Sequence, residues 1–291
     1  VSEIVPYFSF ADSGGATCMR KFLVAAGLAG IVGFSPSKAA AELPPLLQGL
    51  TEQQIRDTMD FVVGNLVFVA FHEAAHMMID ELDLPVTGRE EDSADILSTL
   101  ILLKDNSDYL DQALIATAAA QTIAGEDFAK SGQELPYWDE HGLDKQRAYN
   151  VACLAYGMDP EKFSAFADAM QLPDQRKQRC AMEYSDVEKG WSRILADHIM
   201  PIGGLGQFPV TYDSTQEPEM EFFANVAREA KVLGVLEDKI SEQFIFDAPI
   251  KVTMKDCGFV NAYWDPSARE MVFCHELMVW HAEMFTRQFR N

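Results

Sequence analysis

His72-Glu73-Ala74-Ala75-His76, set between the apolar runs Val67-Phe68-Val69-Ala70-Phe71 and Met77-Met78-Ile79, is the stretch on which the reading of this chain turns. Residues four apart on an α-helix lie one turn above each other. Both imidazoles can therefore aim a nitrogen at one ion while Glu73 stands beside it. That is the donor geometry of a catalytic zinc, which lowers the pKa of its water from about 16 to roughly 7, within reach of a neighbouring carboxylate base. The bare pattern arises by chance on the order of once in a hundred chains of this length, so context has to decide. Two imidazoles buried among Phe, Val and Met are costly unless they have partners. Gly88-Arg89-Glu90-Glu91-Asp92-Ser93-Ala94-Asp95 supplies candidates. Glu91 and Asp95 stand one turn apart on the next helix, where one can be a third ligand and the other the acceptor that fixes a histidine tautomer. Glu90 and Asp92 compete for the metal, but only Glu91 has a carboxylate four residues further on.

The helix carrying this motif is expected to begin at Thr51, whose partner Gln54 completes a capping box, and to run to about Leu82, before Asp83-Leu84-Pro85. A second helix starts near Arg89, with the apolar stripe Ile96, Leu97, Leu100 and Ile101. Apolar spacing with Pro and Gly punctuation places further helices at about 107–130, 143–157, 160–171 and 175–199. Gly203-Gly204-Leu205-Gly206 reads as a flexible joint. Beyond it come a helix near 218–235, strands at 250–254 and 270–273 flanking a turn at Asp265-Pro266, and a final helix over 275–289.

The 291 residues are 48% apolar, enough for a substantial core, with a formal charge of −22. That acidity argues against nucleic acid or an anionic membrane as a partner. Met19-Arg20-Lys21 and the short apolar run Phe22 to Phe34 have the shape of a secretory signal, with Ala39-Ala40-Ala41 for cleavage and a mature start near Glu42. Residues 1–18 are expected to lie upstream of the true start. The run is short for a bilayer, so no stable span is expected after cleavage. Four of the five cysteines lie beyond this leader. They allow three pairings. Neighbourhood favours Cys153 with Cys180 across two helices and Cys257 with Cys274 across a hairpin, each contributing roughly 3 kcal/mol in the chain-entropy model. No C-x-x-C pair, phosphate loop or G-x-S-x-G elbow is present.

H-E-x-x-H followed by E-x-x-x-D on the next helix resembles the gluzincin branch of zinc metallopeptidases. The surrounding text resembles something narrower, a bacterial family of proposed metallopeptidases of uncharacterised function. That likeness rests on Leu84 to Asp92, Asp139-Glu140-His141-Gly142-Leu143-Asp144-Lys145-Gln146-Arg147, Cys257-Gly258, Asn261 to Pro266 and Cys274-His275-Glu276-Leu277. Ala75 departs from the family's Gly, and His275 from its Tyr. The resemblance implies His72, His76 and Glu91 as ligands to one zinc per chain, Glu73 as general base, and Asp95 behind the first histidine. It also makes His141 a candidate to stabilise the oxyanion, worth roughly 3 kcal/mol in such a role; capping the following helix would explain it equally well. Arg147 could orient a substrate carboxylate or pair with Glu140 or Asp144. Tyr149 and Tyr263 are further possible donors. His198, His275 and His281 read as structural.

The expected fold is α+β, mainly α: a zincin-like metallopeptidase whose small C-terminal β segment packs against the zinc helix. Residues 1–41 form the upstream segment and signal, 42–200 the helical zinc-binding region, and 207–291 the α/β segment completing the cleft. The expected activity is hydrolysis of a peptide or protein by an exported, periplasmic or secreted zinc peptidase. The rival expectation is a non-catalytic zinc-containing binding protein of the cell envelope.

Overall fold

The computed structural model describes residues 43–200 and 208–290, so the leader (1–41) and the glycine joint at 203–206 lie outside the described residues. After a 3₁₀ turn at Pro45–Leu47 comes α1, Glu52–Glu81, the motif helix. The Thr51 hydroxyl accepts from the Gln54 backbone N–H at 3.2 Å, and the Gln54 side chain accepts from the Thr51 N–H at 2.9 Å, so the capping box starts the helix where expected. It ends at Leu82, followed by Asp83 in the left-handed region at φ 48°.

From Asp57 to Ile79 nearly every residue of α1 is buried, on all faces. By length and composition α1 could cross a membrane, but here it is the central rod of the fold. Around it lie α2 (Glu90–Lys104), α3 (Asp108–Ser131) and α9 (His275–Arg290). Helices α4 (Asp144–Met158), α5 (Ser164–Ala169) and α6 (Asp174–Leu195) extend this layer. Helix α5 is shorter than the 160–171 expectation. Gly157 of α4 lies so close to α6 that a Cβ there would sit 2.2 Å from the Cys180 carbonyl oxygen, and the Cys153–Cys180 disulfide ties the same two helices.

The helix expected over 218–235 is two, α7 (Pro218–Glu229) and α8 (Val232–Ser241), broken at Lys231 with φ 54°. The break lets both apolar stripes, Phe223 with Val226 and Leu233 with Leu236, reach the core. Strands β1 (Val210–Tyr212), β2 (Lys251–Lys255), β3 (Ala262–Asp265) and β4 (Glu270–Cys274) form one mixed sheet in the order β1-β2-β4-β3. The two expected strands, β2 and β4, are thus not a hairpin. They run parallel, Lys251 opposite Glu270 and Lys255 opposite Cys274, and β3 is the antiparallel hairpin partner of β4. The Cys257–Cys274 disulfide accordingly links the chain just after β2 to the end of β4.

Strand β3 packs against α1, and the Trp264 indole N–H donates to Asp80 at 3.1 Å. The molecule is α+β and mainly helical, with its small C-terminal sheet against the motif helix.

Candidate metal centre

Helices α1 and α2 bring three side chains, His72, His76 and Glu91, to one point. His72 and His76 lie one turn apart, with their Nε2 atoms 3.2 Å from each other. The Glu91 Oε2 atom is 3.1 Å from the first and 3.3 Å from the second. The other ring nitrogens face outward to carboxylates: His72 Nδ1 lies 2.9 Å from Asp95 Oδ1, and His76 Nδ1 2.8 Å from Glu90 Oε1. With Nδ1 of each ring protonated toward its carboxylate, each Nε2 keeps a lone pair. Two imidazole lone pairs and a carboxylate oxygen then point at one another, an arrangement that repels itself unless positive charge lies among them.

Protons could supply that charge. Burial pulls the His72 pKa down, but the contacts with Asp95 and Glu91 outweigh it and lift it to about 9. His76 is raised by Glu91 and Glu90 against the same penalty. Burial pushes Glu91 up, but its contacts with His141, His72 and His76 hold it below the usual carboxylate range. A divalent ion does the same more economically. Tetrahedral zinc with bonds of about 2.0–2.1 Å has ligand atoms about 3.3–3.4 Å apart, close to the separations found here. Nitrogen donors with one carboxylate suit zinc.

Behind His72, Asp95 is gripped by Arg147 of α4, Nε to Oδ2 at 2.7 Å and Nη2 to Oδ1 at 2.9 Å. Burial would raise Asp95; Arg147 and His72 lower it. Arg147 therefore pairs with Asp95 rather than with Glu140 or Asp144. Asp92 turns away to Arg89 at 2.7 Å.

Glu73 is buried beside the two histidines, and the backbone N–H of Trp264 on β3 donates to it. Burial raises its pKa against the opposing pull of His72 and His76. A carboxylate of raised pKa is the stronger base.

His141, half-exposed in the loop before α4, places Nε2 2.9 Å from Glu91 Oε2 and Nδ1 3.4 Å from Asp139 Oδ1. Donor atoms of His72, Glu91 and His141 fall within 4.8 Å of one another. The geometry thus brings His141 to the centre itself, where it can face a reacting oxygen or bind the ion.

His72, Glu73, His76, Glu91 and His141 line a cleft of about 850 Å³ between α1, α2, α3, α4, α9 and β3. Tyr263 lines it, whereas Tyr149 lies on the α4 surface, 36% exposed, outside the lining. His275 is buried against Asp256 at 2.7 Å, and His281 is buried in the cleft wall. A second cluster of possible donors, Cys257, Cys274 and Glu276, is committed already: the sulfurs are bonded together and Glu276 accepts from the Cys257 and Gly258 backbone.

Four roles were missed in sequence. Glu90 braces His76, Asp139 faces His141, the Trp264 backbone contacts Glu73, and Arg147 grips Asp95. The family-like Asp139-Glu140-His141 word was a signal for the second. Nothing local marks the third.

A family model described as "Putative metallopeptidase" matches residues 42–195 and 212–291 of the chain. No curated protein and no solved structure matches it.

Proposed function

The chain belongs to this metallopeptidase family, and from that premise we propose that it is a zinc-dependent peptidase of zincin type. We assign His72, His76 and Glu91 as the ligands and Glu73 as the general base. The observation that carries the reading is the convergence of two Nε2 atoms and one carboxylate oxygen, with a buried carboxylate alongside. Bound zinc would supply a water acidified to a pKa of about 7 and a Lewis acid for the substrate carbonyl.

The chain's own residues do the rest. Glu73 accepts the proton of the attacking water and delivers it to the leaving amine. Its carboxylate faces the Trp264 N–H of β3, which favours the charged form. Asp95 and Glu90 fix the Nδ1–H tautomers of His72 and His76, and Arg147 fixes Asp95. His141, oriented by Asp139, stabilises the oxyanion. The free edge of β3 offers backbone groups to an extended peptide. Residues 42–200 and 207–291 act as two parts of one cleft. Two disulfides are compatible with an oxidising compartment, and with the leader-like text at 19–41 they support export.

One observation favours the rival, a zinc-containing binding protein. If His141 binds the ion, the site has four protein ligands, as structural zinc sites do. Metal analysis separates the two readings. The purified protein is expected to hold about one zinc, lost in His72→Ala, His76→Ala and Glu91→Ala and kept in His141→Ala. Loss of zinc from His141→Ala would favour the closed, non-catalytic site. Retention in Glu91→Ala with loss in Asp92→Ala would overturn the ligand assignment.

A further inference from the structure

The cleft runs along α1 in both directions from the metal centre, and its two ends differ. From Asn65 to His72 is seven residues, about 10 Å of helix. On that side the lining is Asn65 and Phe68 of α1, Thr117 and Gln121 of α3, and Leu277 and His281 of α9, all buried. This wall mixes apolar surface with uncharged polar groups, and one of those groups is left without a partner. Gln121 is 8% exposed, and its Oε1 atom is buried without a hydrogen bond. The His281 ring, 4% exposed, has the Leu277 carbonyl one turn back on its own helix as its backbone partner. An unsatisfied buried acceptor costs roughly 1–3 kcal/mol, so turning the Gln121 amide toward the cleft it lines, to meet a donor from outside, relieves a cost that the empty fold carries.

We propose that this end of the cleft is a side-chain subsite for an uncharged, hydrogen-donating residue of the substrate, asparagine or glutamine above all, with Gln121 Oε1 as the acceptor that selects it. The proposal rests on the peptidase reading in taking a peptide as the occupant. A carboxamide fits both halves of the wall: its N–H₂ donates to Gln121 while its methylenes lie against Phe68 and Leu277. Its oxygen or second N–H can meet the His281 imidazole, according to which ring nitrogen carries the proton. Burial pushes the His281 pKa down to about 3 against the weak opposing effect of the Leu277 carbonyl, so the ring is neutral at physiological pH. A carboxylate would face the Gln121 oxygen as a second acceptor. An aliphatic side chain would leave that oxygen unpaired, the situation in which hydrogen-bonding pockets discriminate most strongly.

The test is cleavage of a randomised peptide library by the zinc-loaded protein, with the cut positions read by mass spectrometry. Peptides retained by zinc-loaded Glu73→Gln protein are read in parallel. Expected is enrichment of Gln or Asn over the similarly sized Met and Leu by about tenfold or more at one fixed position from the cut. Gln121→Met should abolish that preference. Gln121→Glu should move it to Lys, a gain that a merely damaged protein would not give. Cleavage with no side-chain preference, with an aliphatic or acidic preference, or with a preference unmoved by both variants would overturn the subsite and leave the peptidase reading standing. A wild-type preference for Lys or Arg would also overturn it, pointing instead to Asp144 of the cleft lining. Retention of Gln- or Asn-bearing peptides, dependent on Gln121, without any cleavage would uphold the subsite and overturn the peptidase reading. Neither cleavage nor retention would overturn both.

Discussion

Replacing Asp95 by Asn probes the Arg147–Asp95–His72 chain on which the metal centre leans. The amide keeps the shape but loses the charge, and one of its two ends becomes a donor facing a donor, either Arg147 or the His72 Nδ1–H. The side chains of Asp95 and Arg147 are only 13% and 18% exposed. Breaking a buried pair by removing one partner typically costs 3–5 kcal/mol, and the residual exposure puts the expectation at the lower end, about 3 kcal/mol. Loss of the carboxylate behind His72 should also weaken zinc binding by about 10–100-fold. The two effects come apart in the double variant Asp95→Asn/Arg147→Met. Stability should recover, because the uncompensated guanidinium is gone, while zinc affinity stays low, because His72 still lacks its carboxylate. Urea denaturation of the metal-free proteins measures the first effect, and competition with a zinc indicator the second. An Asp95→Asn protein within about 0.5 kcal/mol of wild type, with unchanged zinc affinity, would refute the reasoning, since surface substitutions fall in that range.

Asp60, buried on α1, has its pKa raised from 3.8 to about 7, chiefly by burial and then by neighbouring Asp57. The fold therefore prefers it protonated: its contribution is most favourable below pH 3.8 and is lost as pH rises through about 7. At 1.36 kcal/mol per pH unit the ceiling is about 4 kcal/mol by pH 8. Asp60→Asn should accordingly raise the melting temperature by several degrees at pH 8 and little near pH 4, and a pH-independent difference would remove Asp60 from the pH response. Gly157→Ala should destabilise by about 3 kcal/mol or more in the same urea assay, because its Cβ would overlap the Cys180 carbonyl at 2.2 Å where the disulfide prevents α4 and α6 from separating; a loss below 1 kcal/mol would mean that the helices can part.

Helix α1 was legible in the sequence because its signals are local: a capping box at Thr51 and Gln54, an apolar body, and a stop before Pro85. The Glu91 and Asp95 pair was legible because a spacing of four has one meaning on a helix. Strand β3 was not, since four residues, all half-buried, show no alternation. Its place against Glu73 depends on β4, which in turn depends on β2. The turn at Asp265-Pro266 was real, but it joins β3 to β4, and a local turn signal cannot say which earlier strand it serves. Arg147 reaches Asp95 across 52 positions, and no spacing rule covers such a distance. Which carboxylate braces which imidazole was equally hidden, because Glu90 and Glu91 are neighbours and rotamer geometry alone sends one to Nδ1 and the other to Nε2. One available signal went unused: Asn65, Phe68, His72 and His76 share a face of α1, so the wall of the cleft was written one and two turns before the motif.

The most direct test of the central claim is the rate of peptide hydrolysis by zinc-loaded Glu73→Gln beside zinc-loaded wild type, with the zinc content of both measured on the same samples. The amide still accepts from the Trp264 N–H but cannot take the proton of water. The expected result is full zinc, an unchanged melting temperature and a rate lower by about 10²- to 10⁴-fold or more. Equal rates in the two proteins, or a fully loaded wild type inert on every peptide offered, would contradict it.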